Sequence, residues 1–462
     1  MIDTKALRSR VLDLAFQGKL TEQLESDGTA EELWQQIQAE KQRLIKEGKL
    51  KKEKPLPEIT PNEIPFEIPE NWKWVRMGAV YSFNPSVEAD ESIDAAFIPM
   101  DKISAGYNRD FSFEVQKWEA ASKNHTRFSD GDVAFAKITP CFENRKSFVA
   151  EGLPNTIGGG TTELIILRQP FIYAYYTYLL IIQQRFIDAG VSTYKGTAGQ
   201  QRVKNDALKQ YLIPLPPLAE QKRIVARVEK IFRLLDIIDA AQERYAADAE
   251  SLKAKLITLG IQGRLTEQLE SDGTAEELYQ QIQAEKQRLI QAGKIKKEKP
   301  LPEIKPEEVP FEIPENWKWC RLGELCDAVT GRLDANQQDP NGQYPFFTCG
   351  QEVYRINEYA FDCDAILLGG NNASGDYKMH RYNGKFNAYQ RVYVITVPPH
   401  DTLDYLYYII GYWLPHLKFN SQGAMTRFIR IGQVHNMLVP LPPLAEQKRI
   451  AETLERVLGV LA

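Results

Sequence analysis

A long internal repeat constrains this chain more than any other feature of its sequence. Residues 17–78 align with residues 262–323 at a fixed offset of 245, and 52 of the 62 paired positions are identical. A second block, PLPPLAEQKRI, occurs at 214–224 and again at 440–450 without a mismatch, at an offset of 226. Solenoid repeats recur roughly every 20 to 50 residues, so each repeated unit here is a whole domain.

The stretches between the repeated blocks are of domain size and differ from each other. Residues 79–213 (135 residues) and residues 324–439 (116 residues) align poorly over most of their length. The architecture therefore alternates between scaffold and variable domain. Two different inserts on a near-identical frame predict two heads that do related but non-identical jobs.

Apolar residues recur at alternating steps of four and three after the first PLPPLAEQKRI block. The pattern predicts a long helix over 218–262 that buries an apolar seam against a partner helix. Gln242 is the polar position in the seam and is expected to help fix the register. A long amphipathic helix on one globular core is the alternative. The seam consists of Ile224, Val228, Ile231, Leu235, Ile238, Gln242, Tyr245, Ala249, Leu252, Leu256 and Leu259.

The partner helix is expected from the two ends of the chain. The second copy of the long helix begins at 444–462, and its missing distal half is found at 2–17, where Leu7, Val11 and Leu14 align at the offset of 245 with the apolar seam at 252, 256 and 259. The duplicated unit is thus circularly permuted. We expect an antiparallel pair formed by 218–262 and a composite of 444–462 and 2–17.

A shorter helix is predicted in each copy from the T-x-x-E spacing of a capping box, at Thr29 with Glu32 and at Thr274 with Glu277. The charge run EKQRLIKEGKLKKEK on the first of these helices is interpreted as a solvated face, with docking of a partner subunit as the alternative. The strings KPLPEITPNEIPFEIPENWKW and KPLPEIKPEEVPFEIPENWKW then predict extended connectors into the heads.

Composition excludes several classes of protein. With 43% hydrophobic residues among 462, the chain can bury large cores and should form about three domains. Its net charge of -5 lacks the basic excess of a non-specific nucleic-acid coat. The five cysteines form no CxxC pair, which argues against a zinc site and favours the reducing cytoplasm. We expect no signal peptide, because the first residues, MIDTKALRSRVLDLAF, carry charges every few positions. We expect no membrane span, because no apolar stretch reaches about 20 residues.

Three kinds of motif carry a family resemblance, and each kind occurs twice, in the same cyclic order. They are the entry string (NWKWVRMG and NWKWCRLG), the exit string (PLPPLAEQKRI) and the helix ending (LAFQGKLTEQ and LGIQGRLTEQ). The chain resembles the specificity subunit of type I restriction-modification systems over essentially its whole length. The resemblance implies two target-recognition domains held by two long antiparallel helices, each domain reading one half of a split DNA site.

The resemblance also implies partners that carry the chemistry. Two modification subunits would bring S-adenosylmethionine and methylate adenine, and restriction subunits would bring ATP- and Mg²⁺-dependent translocation and cleavage. The sequence contains no G-x-x-x-x-G-K-[ST] loop, no N-P-P-[YF] motif and no G-x-G-x-x-G loop between a strand and a helix. We therefore expect a non-catalytic subunit. The alternatives are the specificity chain of a type IIB-like enzyme and a coiled-coil adaptor whose heads bind proteins.

The predicted fold class is α+β, with two globular α/β recognition domains separated by a pair of long antiparallel helices in a pseudo-two-fold, permuted repeat. The predicted domains are an N-terminal scaffold with connector (1–70), recognition domain 1 (71–217), a central scaffold (218–315), recognition domain 2 (316–443) and a C-terminal scaffold helix (444–462).

Candidate DNA contacts are side chains that suit base readout or phosphate binding in glycine-containing loops. Arg and Lys suit guanine, whereas Asn and Gln suit adenine. An ordinary solvated surface residue is the alternative for each. In the first variable domain the candidates are Lys137, Asn144, Arg145, Lys146, Tyr194, Lys195, Gln200, Gln201, Arg202 and Lys204. In the second they are Asn371, Asn372, Lys378, Arg381, Lys385, Arg391, Gln422, Thr426, Arg427 and Arg430.

Two further expectations concern these heads. The string from Gly369 to Asn372 predicts either a hairpin turn or a place where backbone N–H groups approach phosphate. Residues 71–217 carry a net charge of about +1 and residues 316–443 about zero, so phosphate neutralisation alone should bind DNA weakly. Because the heads differ, the target should be asymmetric and bipartite.

Overall fold

The computed structural model describes residues 1–48, 55–195, 201–297, 299–398, 402–420 and 427–461. They divide into two compact units, unit 1 (Met1–Glu243) and unit 2 (Arg244–Ala462), and the division falls inside one long helix. Both units mix helices and strands. The predicted α+β class and the long central helix are confirmed.

Unit 1 begins with scaffold helices, continues through the first head and ends on the long helix. Its helices are α1 (Thr4–Phe16), α2 (Ala30–Lys46), α3 (Met77–Val80), α4 (Trp118–Ser122), α5 (Ala174–Ile182), α6 (Gln184–Val191), α7 (Asn205–Gln210) and the start of α8 (Leu218–Ile261). Its strands are β1 (Lys73–Arg76), β2 (Ser82–Phe83), β3 (Asp94–Ile98), β4 (Glu114–Lys117), β5 (Thr126–Ser129), β6 (Val133–Ala136), β7 (Ser147–Val149), β8 (Ile157–Gly160), β9 (Leu164–Arg168) and β10 (Leu212–Leu215).

The head of unit 1 contains two four-stranded sheets, with strand orders β2-β9-β6-β7 and β4-β3-β8-β5. Strand β8 has the sequence IGGG and is buried throughout. Its glycines are required by packing, because a Cβ atom on Gly159 would lie 1.8 Å from the Ala121 carbonyl oxygen. This triple glycine is therefore a close contact between strand and helix rather than a phosphate loop.

Unit 2 has the same scaffold elements around a different head. Its helices after α8 are α9 (Ala275–Gln291), α10 (Leu322–Leu325), α11 (Leu403–Asn420), α12 (Ile431–His435) and α13 (Leu444–Val460). Its strands are β11 (Lys318–Arg321), β12 (Asp327–Thr330), β13 (Tyr344–Phe347), β14 (Val353–Ile356), β15 (Phe361–Gly369), β16 (Asn371–Asn372), β17 (Met379–Ala388), β18 (Val392–Thr396), β19 (Arg427–Phe428) and β20 (Leu438–Leu441). Six of them form one sheet in the order β12-β18-β15-β17-β13-β14.

Each head enters and leaves its scaffold through a two-stranded antiparallel ribbon. In unit 1, β1 pairs with β10 and Lys73 lies opposite Leu215. In unit 2, β11 pairs with β20 and Lys318 lies opposite Leu441. The NWKW entry string and the PLPPLAEQ exit string therefore meet side by side in both units.

A buried glutamate at the start of the exit helix joins three segments of the scaffold in unit 1. The Glu220 carboxylate accepts hydrogen bonds from Trp72 Nε1 (2.7 Å), Gln23 Nε2 (2.7 Å) and Thr21 Oγ1 (3.0 Å). Its solvent exposure is 0%. A buried carboxylate is stable when hydrogen bonds satisfy its oxygens, so the three donors explain why a charged residue is found here.

Unit 2 repeats this arrangement, with the glutamate at the 226 offset and the three donors at the 245 offset. Glu446 accepts hydrogen bonds from Trp317 Nε1 (2.8 Å), Gln268 Nε2 (2.5 Å) and Thr266 Oγ1 (3.3 Å). Burial raises the pKa of the Glu446 carboxyl, and the three donors oppose that rise. One buried acceptor with three donors thus explains why both copies have the same residues at these positions.

A buried arginine closes the ribbon of each unit. Arg76 is 5% exposed and donates hydrogen bonds to the Pro57 carbonyl (2.7 Å), the Gln210 carbonyl (2.9 Å) and the Glu63 carboxylate (2.9 Å). The contact links the proline-spaced connector to the segment that leaves the head. In unit 2, Arg321 makes the same contacts with Pro302, Asn436 and Glu308.

Within unit 1, α1 runs antiparallel to the first half of α8. Arg8 forms ion pairs with Asp236 and Asp239, the second at 2.9 Å. Gln242 Nε2 donates to the Ile2 carbonyl oxygen at 3.2 Å, which agrees with the expected role of Gln242 in fixing the register. That the two chain ends meet to form a composite helix stays a prediction.

The predicted seam on α8 is buried mainly in its first half. Ile224, Val228 and Leu235 are buried, whereas Tyr245 and Leu252 are exposed. Both predicted capping boxes are present, at Thr29 with Glu32 and at Thr274 with Glu277. Part of the predicted charge run, 49–54, lies outside the described residues.

No helix among the described residues is long and apolar enough to cross a membrane. No disulfide joins any of the five cysteines, all of which lie in the described part of the chain.

The buried glutamates should be essential for stability. We expect Glu446→Ala to lower the free energy of unfolding by about 3 kcal/mol, because it leaves the donors of Trp317, Gln268 and Thr266 without their acceptor. Urea unfolding measures the loss. Glu452→Ala, at an exposed position on the same helix, is the control and should unfold like the wild type. Equal stability of both variants would contradict the role of Glu446.

Acid should weaken the contact between Glu63 and Arg76. The backbone N–H of Thr60, together with Arg76, lowers the pKa of Glu63 to about 2. A carboxyl whose pKa is lower in the folded chain than in the unfolded chain stabilises the fold above its unfolded pKa and loses that effect as the pH falls toward 2. Glu63→Gln should therefore melt below the wild type at pH 7, and the difference should narrow on acidification below pH 4.5.

The measurement is the melting temperature of both chains between pH 7 and pH 3. Glu67→Gln, another exposed carboxyl of the same connector, is the control. A difference between Glu63→Gln and the wild type that stays constant over this range would exclude the ion pair as its cause.

Candidate nucleic-acid interface

The structure brings the two candidate loops of unit 1 together. Ile138 and Arg202 form an antiparallel bridge. The Thr139 N–H donates to the Gln201 carbonyl (3.0 Å), and the Val203 N–H donates to the Lys137 carbonyl (2.9 Å). The loop that follows the buried strand β6 and the segment that precedes α7 therefore form one surface. We call residues 137–146 with 201–204 ledge 1.

Unit 2 forms the corresponding surface from its own loops. Asn371 and Asn372 of β16 pair with Phe428 and Arg427 of β19. The Ile429 N–H donates to the Gly370 carbonyl at 3.0 Å. Here too, a loop after the central strand, β15, pairs with the segment before a short helix. We call residues 370–378 with 427–430 ledge 2.

The two ledges share one backbone register with their scaffolds. Residue pairs at the 226 offset, such as Val203 with Ile429 and Gln210 with Asn436, make equivalent hydrogen bonds. Over 201–213 and 427–439, however, just one paired position is identical, Leu212 with Leu438. The common frame thus extends 13 residues beyond the repeated sequence, which sequence comparison alone did not reveal.

Several candidate side chains of ledge 1 are exposed to solvent. In ledge 1, Asn144, Arg202 and Lys204 are exposed, whereas Lys137 and Gln201 are half-buried; beside it, Lys195 is exposed and Tyr194 half-buried. Arg202 forms an ion pair with Glu163, with Nη2 2.7 Å from Oε1. This hydrogen bond lowers the pKa of Glu163. Sequence reasoning missed Glu163, because 39 residues separate it from Arg202.

Two basic candidates of ledge 1 are occupied by contacts inside unit 1. Arg145 is 8% exposed, and its Nε donates to the Ile182 carbonyl at 2.8 Å. Its guanidinium also lies 5.1 Å from the centre of the Tyr107 ring. Lys146 Nζ donates to the Met100 carbonyl at 2.8 Å. These contacts account for both residues without DNA.

On ledge 2, arginines supply most of the exposed positive charge. Arg427 and Arg430 are exposed, and so is Arg391, which lies beside the ledge and whose carbonyl accepts the Gly370 N–H at 2.7 Å. Among the residues that the structure describes, none of these three arginines forms an ion pair. Lys378 does, with Asp376 at 2.6 Å.

Two candidates of the second head lie on β17 rather than on ledge 2. Arg381 forms ion pairs with Asp364 and Asp404, the second at 3.0 Å. The ammonium group of Lys385 lies 4.7 Å from the centre of the Tyr359 ring. Three other candidates, Gln200, Gln422 and Thr426, lie outside the described residues.

The string from Gly369 to Asn372 is not a hairpin turn. It forms the end of β15 and the short strand β16. The Gly369 N–H donates to the Lys378 carbonyl (2.9 Å), and the Gly370 N–H donates to the Arg391 carbonyl (2.7 Å). Because both N–H groups have acceptors, this segment offers neither of them to a phosphate.

The described residues contain no group of His, Cys, Asp and Glu side chains arranged to hold a metal ion. What the ledges offer is exposed amide, ammonium and guanidinium groups on a rigid backbone. That chemistry suits contacts with base edges and phosphates.

Comparison with known proteins identifies the family. The family model described as "Type I restriction modification DNA specificity domain" matches residues 69–244 and 314–460. The two matches cover both heads and more than half of the chain. The chain belongs to this specificity family. The resemblance that the repeated motifs carry is therefore confirmed.

Named relatives of the specificity family agree with this assignment. The type I restriction enzyme EcoAI specificity subunit of Escherichia coli is 40% identical over 372 residues, which cover 71% of this chain and 63% of the relative. The EcoEI specificity subunit of the same species is 38% identical over 365 residues, which cover 70% of this chain and 61% of the relative. The chain thus spans less than two thirds of the length of either subunit.

Solved structures of the specificity family share the fold. A chain from a structural study of complex assembly and conformational transition of the type I R-M system has a TM-score of 0.61 and 21% identity, and covers 86% of this chain and 92% of its own. The HsdS subunit of Thermoanaerobacter tengcongensis has a TM-score of 0.51 and 20% identity, with 87% and 93% covered. At these identities the comparison supports the fold alone.

The structural role of Arg145 can be tested against its exposed neighbour. We expect Arg145→Ala to lower the free energy of unfolding by about 2 kcal/mol, since it removes charge-assisted hydrogen bonds from a buried site. Asn144→Ala, one position earlier but exposed, should leave stability unchanged. The measurement is the free energy of unfolding of both variants by calorimetry. Unchanged stability of Arg145→Ala would return this residue to the list of candidate DNA contacts.

Proposed function

We propose that this chain is the DNA-sequence-specificity subunit of a type I restriction-modification complex. One observation carries the proposal: two unlike heads stand on near-identical scaffolds, and each presents a ledge with the same backbone register but different side chains. Two domains that read different DNA sequences need ledges at the same place on their scaffolds, with different side chains on them.

The target follows from the difference between the heads. A symmetric site needs two identical readers. Ledge 1 offers Asn144, Gln201 and lysines, whereas ledge 2 offers Asn371, Asn372 and arginines. Each head would read one half of an asymmetric, bipartite double-stranded DNA site. The long helices, with α8 about 66 Å long at roughly 1.5 Å per residue, would set the length of the unread spacer and dock the methylase subunits.

The weak charge of the heads bears on how affinity is divided. Binding through phosphates requires about one protein cation for each counterion released. Net charges of about +1 and zero on the two heads, with Arg202, Arg381 and Lys378 already paired, leave few cations for that purpose. The partner subunits would therefore supply many of the contacts with the DNA backbone, and this chain would supply the contacts that specify the DNA sequence.

The proposed partners are two modification subunits and the restriction subunits. S-adenosylmethionine, ATP and Mg²⁺ would bind on those chains, and this chain would catalyse nothing by itself. The adenine to be methylated must leave the base stack to reach a methylase pocket, so base flipping would take place in the complex.

A head exchange tests the proposal in the host cell. Residues 79–213 are replaced by the corresponding insert of another family member, and methylated adenines are mapped across the genome. One half of the bipartite motif should change, while the other half and the spacer should stay. Deletion of the whole chain should abolish the motif.

Two outcomes would contradict this function. If deletion of the chain leaves adenine methylation unchanged, the chain does not specify a methylated site, and a protein-binding adaptor explains the heads better. If the exchange alters both halves of the motif at once, the heads do not read independently. A replacement of 79–213 by its own sequence is the control for the exchange procedure.

A further inference from the structure

One basic position is common to the two ledges although the head sequences around it differ. Lys204 lies immediately before α7, and Arg430 lies immediately before α12. The two residues are related by the 226 offset of the exit block. Both are exposed, and neither forms an ion pair with another described residue.

Contacts within the head and with the scaffold together hold the backbone on both sides of these two residues. Val203, the residue before Lys204, is buried, and its N–H donates to the Lys137 carbonyl. Further along the chain, the Gln210 carbonyl accepts a hydrogen bond from Arg76 at 2.9 Å. The Met77 N–H then donates to the Tyr211 carbonyl at 2.9 Å.

Arg430 is held by the same contacts in unit 2. Ile429 is buried, with its N–H on the Gly370 carbonyl, and the Asn436 carbonyl is held by Arg321 at 3.1 Å. The Leu322 N–H donates to the Met437 carbonyl at 2.8 Å. Each head therefore presents a cation at a fixed place relative to the ribbon through which it joins the scaffold.

Adjacent positions on the same frame do not share this chemistry. Gln201 corresponds to Arg427, and Arg202 corresponds to Phe428. Side chains that read different bases must differ between the heads, whereas a group that meets the DNA backbone needs the same charge in both. Phosphate contacts fix the register of a protein on the duplex and carry no sequence information directly.

We propose that Lys204 and Arg430 are phosphate anchors, one on each head, which set the register of the ledge on the DNA backbone while the neighbouring positions read bases. This inference rests on the proposed function and adds to it a division of tasks within each ledge.

The surroundings of Lys204 support an anionic ligand. Thr193 Oγ1 accepts the Lys204 N–H at 3.3 Å, and Lys195 lies across the bridge from Arg202, on the same face as Lys204. The contact with Lys195 lowers the pKa of Lys204, since two ammonium groups lie side by side. An anion bound between them would relieve this repulsion.

The test measures DNA binding by the full chain assembled with its methylase subunits. Affinity is determined at several salt concentrations, on a duplex that carries the methylated motif and on a duplex with both half-sites scrambled. The variants are Lys204→Ala and Arg430→Ala, the charge-conserving Lys204→Arg and Arg430→Lys, and two controls at exposed basic positions outside the ledges, Lys123→Ala and Arg355→Ala.

Each alanine variant should weaken binding to both duplexes by the same factor, roughly tenfold. The slope of log K against log salt should fall in magnitude by about 0.9 for each anchor lost. The charge-conserving variants should keep the wild-type slope, and the methylated motif should be unchanged in every variant. The controls should bind as the wild type does.

Three results would overturn the inference, and they are separable from a failure of the proposed function. A slope equal to that of the wild type in both alanine variants would show that neither residue meets a phosphate. A changed methylation motif would make the residue a base reader instead. Loss of binding by charge-conserving variants whose thermal unfolding matches that of the wild type would show that charge at these positions is not what binds the DNA. If the wild-type complex itself does not discriminate between the duplexes, the proposed function fails together with the inference.

Discussion

A buried carboxylate that gathers three donors is the contact on which each unit depends. Glu220 lies at the start of the exit helix, Trp72 lies at the entry to the head, and Gln23 belongs to the first repeated segment. These segments are far apart in sequence, so the contact defines how the scaffold closes around a head. A carboxylate that is shielded from water needs hydrogen-bond donors in place of water, so the positions of the three donors are tightly constrained. The same demand explains why the paired residues of unit 2, from Thr266 to Glu446, have the same identities.

The scaffold could be predicted from the sequence because its information is local and present twice. The capping boxes at Thr29 and Thr274 need four residues each, and the long helix follows from apolar spacing along one stretch. The heads lack such signals. Their sheets pair β3 with β8, and β12 with β18, and such long-range pairings leave no short-range pattern in one sequence.

The candidate interface was predictable as a pair of loops but not residue by residue. Residue types pointed to the loops, and the bridges Ile138 with Arg202 and Asn371 with Phe428 show how the loops pair within each head. Residue type alone could not separate Arg145, which is buried against Ile182, from its exposed neighbour Asn144. Burial and ion pairing depend on partners that are remote in sequence, such as Glu163 in the turn before β9.

The ribbon through which each head joins its scaffold has a consequence for how such a chain can change. Because neighbouring antiparallel strands lie about 5 Å apart, Val75 and Ile213 bring the two ends of a 135-residue insert together, and Cys320 and Val439 do the same for a shorter one. Closing an insert at such a point costs little more for a long segment than for a short one. A different domain inserted between these strands would join the scaffold at the same two strand ends, so one head can be exchanged without changes in the rest of the chain.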